Sequence, residues 1–388
     1  MQEAVSAARG RLRRAVARRA LRCLDPGCSE KNSPYAASCD KCGAPVTGGV
    51  VFSAAQSGTS QSEWLQRFQA AIEKSHSCHL YDVGAKMEQF ARALEAHINW
   101  DRVLDRPEEA LRILRAQAFS EIAQSIEQSP TDLHVVACHL TFRWRAYLMR
   151  GLDPFCLSKI DNRLRLFLTV IDSVDSVHGR LLSTEWGDRE RLELALWRDE
   201  EVFMTGFLAD MFARPHYIVA REEPPENMAR LVTEPWRPRV YLSFPISSFK
   251  GTADEGAARQ EIEEVRDTLR DWAVVFDPYA IKDYDLTYQV PEMTTIAKEL
   301  GEQTEQRDYR FIDQSEALVA FFPKAVTSKG VDAELRHART TGKIIYLCYP
   351  EKTAGPFNTP PDYFASTKQE FVTLLRAHLE GLDKEHDK

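Results

Sequence analysis

The residues with most chemistry in them lie between Thr327 and Ala338, in the run Thr-Ser-Lys-Gly-Val-Asp-Ala-Glu-Leu-Arg-His-Ala. The apolar run Ala317 to Pro323 precedes them and reads as a buried strand of a parallel sheet. After them come a short helix, Gly342-Lys343 and a second apolar run, Ile344 to Tyr349. This order predicts one βαβ unit, and ligands of such sheets sit at the carboxyl ends of the strands. Ser328 to Glu334 fall there. The Ser328 hydroxyl and the backbone N–H groups around Gly330 suit an anion such as a phosphate. The carboxylates of Asp332 and Glu334 can meet the same ligand. Plainer readings exist for both ends of the motif. Ser328 can serve as a simple helix N-cap, and Glu334 can serve the helix dipole.

A second constellation is Cys23-x4-Cys28 followed by Cys39-x2-Cys42-Gly43. Two paired cysteine sets around a short polar loop fit tetrahedral thiolate coordination of zinc. So short a segment builds no core without a staple. The spacing predicts a structural zinc ribbon over residues 23–46, and four cysteines leave no open position for catalysis. The other four of the eight cysteines, Cys78, Cys138, Cys156 and Cys348, stand in apolar contexts and read as buried free thiols of a cytoplasmic protein.

The pattern Ser-x-Gly-Val-x-x-Glu-Leu-x-x-Ala, then Gly-Lys and a strand, resembles the nucleoside 2-deoxyribosyltransferase superfamily, in particular its 2′-deoxynucleoside 5′-phosphate N-hydrolase type. Two further landmarks carry the resemblance. One is Tyr241-Leu-Ser-Phe-Pro-Ile246; the other is Asp308-Tyr-Arg-Phe-Ile-Asp-Gln-Ser-Glu-Ala-Leu-Val-Ala320. The resemblance implies that Glu334 attacks the anomeric carbon of a sugar and that Ser328 holds a 5′-phosphate. It also makes Asp308 the catalytic aspartate and Tyr241 a catalytic partner, with Ser243, Gly330 and Asp332 lining the substrate. The chain departs from the family where Pro245 and Ser247-Ser248-Phe249 enter the loop after the first strand. Glu316 also stands where aspartate is common. The implied activity is N-glycosidic cleavage of a nucleotide or deoxynucleotide, by hydrolysis or transfer, in nucleotide metabolism or anti-phage defence. Two other readings stay open: an NAD-cleaving glycosidase of TIR-like topology, and a nucleotide-sensing protein without turnover.

These residues need an α/β scaffold. The expected fold is two parallel-sheet α/β domains behind a small zinc ribbon: a P-loop-kinase-like domain over 48–222 and a flavodoxin- or Rossmann-like domain over 239–388. A proline-rich linker is expected over 223–238. In the first domain Val50-Val51-Phe52, Ser53 to Ser60 and a helix from Gln61 have the layout of a P-loop. Ser53, however, replaces the first glycine and Thr59 the lysine. Later segments resemble nucleotide kinases of the adenylate-kinase type, with strands at Leu80–Gly84, His134–Cys138 and Phe167–Asp172. Without the lysine the domain reads as a degenerate kinase. Any retained nucleotide would meet Ser57, Gly58, Thr59 and Ser60, with Arg143, Arg145 and Arg198 as partners. In the second domain Tyr279 to Glu302 reads as an irregular loop whose Tyr279, Tyr284 and Tyr288 can stack on a base.

Residues 1–22 carry Arg9, Arg11, Arg13, Arg14, Arg18 and Arg19 and predict a basic helix. It reads as a solvated or partly disordered leader, or as a contact for nucleic acid or an acidic partner. Over all 388 residues the formal charge is −8, against a general nucleic-acid binder. No apolar run reaches transmembrane length and no secretory signal is evident. A homo-oligomer is expected.

Overall fold

A computed structural model describes residues 2–18, 21–23, 28, 30–32, 39–43, 48–94, 100–129, 132–144, 147–184, 186–281, 283, 294–351 and 355–382. The chain forms two compact α/β units. One is residues 230–388 with the N-terminal helix; the other is 36–229 with 21–32.

Helix α1 (Gln2–Ala17) opens the chain, and strands β1 (Leu21–Arg22) and β2 (Lys31–Asn32) pair antiparallel. The strands that follow are β3 (Gly49–Ala54), β4 (Cys78–Asp82), β5 (Leu133–Ala137), the hairpin β6 (Thr141–Trp144) and β7 (Tyr147–Arg150), then β8 (Leu164–Ile171) and β9 (His216–Ala220). The helices among them are α2 (Gln61–Ile72), α3 (Val83–Ala93), α4 (Glu108–Gln128), α5 (Pro154–Ser158), α6 (Val174–Leu181) and α7 (Arg191–Met211). An all-parallel sheet runs in the order β4-β5-β3-β8-β9. Val50, Phe52, Val136 and Phe167 share a core with Leu111, Phe119 and Ile122 of α4.

Helix α8 (Pro225–Thr233) occupies the segment expected to be a linker. Of the four prolines that suggested a flexible tether, Pro225 starts this helix with Pro224 just before it, since proline fits a first helical turn, and Pro235 and Pro238 lie beyond its end.

The remaining strands are β10 (Arg239–Ser243), β11 (Val274–Phe276), β12 (Ala317–Phe321), β13 (Ile344–Cys348) and β14 (Tyr363–Ala365). The remaining helices are α9 (Ile246–Phe249), α10 (Glu255–Arg270), α11 (Thr294–Asp313), α12 (Lys329–Thr340) and α13 (Lys368–Leu379). Their sheet is also all parallel, in the order β11-β10-β12-β13-β14. Every residue of β10, β11, β12 and β13 is buried. That is why β11, β12 and β13 read as unbroken apolar runs, whereas β10 also buries Arg239, Tyr241 and Ser243: helices cover both faces. Because β11 and β12 flank β10 on opposite sides, the crossovers diverge there. The carboxyl ends of β10 and β12 are therefore the switch point of this sheet, where ligands of such sheets bind. Helix α11 begins at Thr294, so part of the stretch expected to be irregular is helical. Tyr284, Tyr288 and Arg145 lie outside the described residues.

Helix α1 is packed rather than solvated. Ala8, Leu12 and Val16, spaced by four, are buried. Leu12 joins the core formed by Phe371, Leu375 and Leu379 of α13. Arg11 pairs with Asp362 at 3.0 Å, and Arg9 donates to the Glu380 carbonyl at 2.7 Å. Arg14 and Arg18 remain exposed. Among the described residues no helix is long and apolar enough to cross a membrane.

Glu316 has a specific task. Its carboxylate accepts from the Arg239 backbone N–H at 2.7 Å and from Arg239 Nη2 at 2.5 Å, both residues being buried at the start of adjacent strands. A glutamate here has one methylene more than aspartate with which to reach both donors. Glu316→Ala removes the carboxylate partner of a buried guanidinium and should cost about 3–5 kcal/mol in urea unfolding of this unit, whereas Glu316→Gln should cost less.

Candidate active site and metal cluster

Tyr241 and Ser243 are two apart on β10 and therefore face the same side of the sheet. On α12 the residues Val331, Leu335 and Ala338 are buried at helical spacing, and Glu334 falls on the same inward face. Helix and strand thus meet through three polar side chains. Tyr241 Oη donates to Glu334 Oε1 at 2.9 Å, and Ser243 Oγ donates to Glu334 Oε2. Tyr241 and Ser243 are fully buried. Glu334 keeps partial exposure, through which a ligand can reach it.

Asp308 lies one helix away on α11, close enough for its charge to act on Glu334. Burial first, and the Asp308 charge second, push the Glu334 carboxyl up from 4.5 to about 8. The Ser243 and Tyr241 hydroxyls and the Arg307 cation pull the other way. Burial and the two carboxylates hold Tyr241 well above the ordinary phenol value, so it remains a donor. Asp308 Oδ1 accepts from Arg307 Nη2 at 2.9 Å. The two helices are joined further out, where the Tyr309 ring stacks on His337 at 4.2 Å.

The expected phosphate ligands Ser328 and Gly330 stand at the start of α12. Ser328 is the N-cap of α12, its Oγ accepting from the Val331 N–H at 3.3 Å. A Cβ added at Gly330 would meet only Ser328 Oγ, at 4.0 Å, so the backbone at the helix start is open to approach. Asp332 pairs with Arg336 at 3.4 Å. Ser248 Oγ donates to the Thr327 carbonyl at 3.0 Å, and Lys324 pairs with Asp254 at 2.5 Å, which tie the loops after β10 and β12 together. Tyr279 lies against Phe244 at 4.6 Å, with its N–H held by Asp277 at 2.8 Å. Sequence reasoning missed Arg307 and Asp283. Arg307 is adjacent to a singled-out aspartate, and that was the available signal.

The loop after β3 is built differently. Thr59, in the place of a phosphate-loop lysine, has a fully buried side chain, and Ser60 adopts a left-handed conformation. Gly58 lies against α6: a Cβ there would stand 2.9 Å from Leu181 Cγ and 3.0 Å from Val177 Cγ1. Arg180 Nε donates to the Gly58 carbonyl at 2.5 Å and pairs with buried Asp172. Ser53 Oγ accepts from Gln61 at 2.8 Å. The loop is packed by the protein's own side chains. Arg143 pairs with Glu200, and buried Arg198 donates to the Asp172 carbonyl at 3.1 Å.

The four N-terminal cysteines converge. All their sulfurs lie within 4.8 Å of one another, Cys23 and Cys42 at 3.5 Å and Cys28 and Cys39 at 3.7 Å. A tetrahedral metal bonded to four thiolates at about 2.3 Å requires sulfur–sulfur edges of about 3.8 Å. The cluster therefore fits one metal ion. Burial resists ionisation of Cys39, but the N–H groups of Cys42 and Lys41 and the Asn32 amide bring its thiol down to about 6. Gly43, at φ 72°, ends the knuckle in a conformation that favours glycine.

No family model and no curated protein matches the chain. Among solved structures, the crystal structure of TT1252 from Thermus thermophilus is similar with a TM-score of 0.29 and 12% identity, over 48% of this chain and 96% of that one. A likeness of that size carries no argument about function.

Two measurements follow from this geometry. Metal analysis should find about one ion per chain, lost in Cys39→Ser with unfolding of the segment around it. The second concerns stability. Glu334 ionises near 4.5 when unfolded and at about 8 when folded, so the unfolded chain binds fewer protons between those values. Stability should therefore fall as pH rises through that window, and Glu334→Gln should flatten the slope.

Proposed function

We propose that the 230–388 unit is an N-glycosidase acting on a nucleotide or deoxynucleotide. The observation that carries this reading is the Glu334 carboxylate, hydrogen-bonded on both oxygens at the switch point of a parallel sheet, with a second carboxylate beside it. The resemblance of this motif to the nucleoside 2-deoxyribosyltransferase superfamily supports it. Cleavage of an N-glycosidic bond places positive charge on the sugar, and a carboxylate at the anomeric carbon stabilises that charge or bonds to it. Glu334 takes this role. Asp308 delivers a proton to the departing base. The working state of the pair holds one proton. Tyr241 and Ser243 aim Glu334, and the open backbone at Gly330 with the Ser328 hydroxyl offers a place for a phosphate.

We assign zinc to the cysteine cluster in a structural role, because four thiolates match its ligand preference and close its coordination. The packed loop at Gly58 favours a unit 36–229 that supports structure rather than phosphoryl transfer.

The test is chromatography of a mixed pool of nucleotides, deoxynucleotides and NAD after incubation with the wild-type protein and with Glu334→Gln. Free base and sugar phosphate should appear with wild type, and the variant should lose at least ~10³-fold in rate. Activity should fall as pH rises through about 8, where the pair loses its proton. Nicotinamide release with deoxynucleotides untouched would replace this reading with NAD cleavage. Equal turnover by the variant would remove Glu334 from the chemistry.

A further inference from the structure

Arg307 is 5% exposed, inside a helix whose packing alone would call for an apolar residue. Burying a guanidinium is costly unless its donors are matched. Its Nε and Nη2 donate to Asp308 Oδ1 at 3.1 and 2.9 Å, and its Nη1 donates to Asp283 Oδ2 at 3.2 Å. Asp283 is 1% exposed and comes from the loop beyond β11. The charged and titratable groups around the pair come from each element packed there. They are Tyr241 from β10, Glu334 and Arg336 from α12, Arg307, Asp308 and Tyr309 from α11, and Asp283 from the loop. Beside Glu334, two carboxylates thus share one buried guanidinium.

We infer that Arg307 is a positioning residue: it fixes the orientation of Asp308 and sets the charge of the Asp308–Glu334 pair, with Asp283 as its anchor. The inference rests on the reading of that pair as the reacting carboxylates. A guanidinium given to Asp308 alone would hold it ionised and spoil it as a proton donor. Asp283 shares the cation, so the pull on Asp308 is moderated while two N–H donors still fix its direction. Lysine would supply the charge without the fork.

The experiment is a carboxyl titration by infrared difference spectroscopy, which needs no turnover, on wild type, Arg307→Met, Arg307→Lys and Asp283→Asn. Arg307→Met should move the midpoint of the pair up by about one unit, because an opposite charge is removed. Asp283→Asn should move it down, because the cation then serves Asp308 alone. Arg307→Lys should restore the midpoint. On an active substrate Arg307→Met should lower kcat by ~10²-fold with KM changed by less than about threefold, and lysine should recover the pH profile but not the full rate. Opposite shifts in the two variants cannot come from general loosening. A midpoint unmoved in both, or moved in the same direction, overturns the inference even where thermal stability drops. Absence of any cleavage by wild type would remove the glycosidase reading, while the titration would still decide what Arg307 does to the pair. If Arg307→Met does not fold, the shift in Asp283→Asn and the midpoint in Arg307→Lys decide it.

Discussion

A carboxylate removed from water needs donors, and those around Glu334 determine how this unit is assembled. Tyr241 and Ser243 reach Glu334 only if β10 presents alternate residues toward α12. Helix α12 in turn must present Val331, Glu334, Leu335 and Ala338 on one face. Both conditions require β10 and β12 to be parallel neighbours with the helix crossing over them, which is the observed pairing of Tyr241 with Leu318 and Ser243 with Ala320. The polar triad is therefore seated in an otherwise apolar layer. Small shifts of register would send Tyr241 to the opposite face, among Val240, Leu242 and the residues of α10 and α13. Burial makes the site costly, and the same desolvation raises the Glu334 carboxyl toward neutral pH.

How much of this was legible depended on how local each signal was. The apolar runs of β12 and β13, and the loop and helix between them, are contiguous, so their order could be read from residue types. Tyr241, Ser243, Asp308 and Glu334 lie on elements whose periodicities are clear, and the structure brings Tyr241 and Ser243 onto Glu334. The Asp283–Arg307 pair joins residues 24 apart across a loop, and nothing in the local pattern announces such a pair. In α1 the arginines dominated the reading, although Ala8, Leu12 and Val16 at spacing of four form a stripe that packing uses. The Glu-Pro-Pro-Glu run suggested a tether by composition. Position decides the matter, because proline at a helix start costs nothing. The loop at Gly58 kept the spacing of a phosphate-binding turn, while its side chains pack inward against Leu181 and Val177.

The cysteine cluster obeys a different constraint. Among the described residues its buried apolar side chains are Cys23, Cys28 and Cys39, with Leu21 packed against them, far too few for a core. Four thiols brought within 4.8 Å repel one another once ionised, and an ionised thiol is what Cys39, down at about 6, offers. A divalent cation resolves both problems: it neutralises the thiolates and substitutes for the missing core. With every coordination position taken by sulfur, such a centre has no place for water or substrate. A metal bound there would staple a segment too small for a core of its own, whereas the Glu334 carboxylate is held by a sheet whose buried strands can bear the cost of desolvating it.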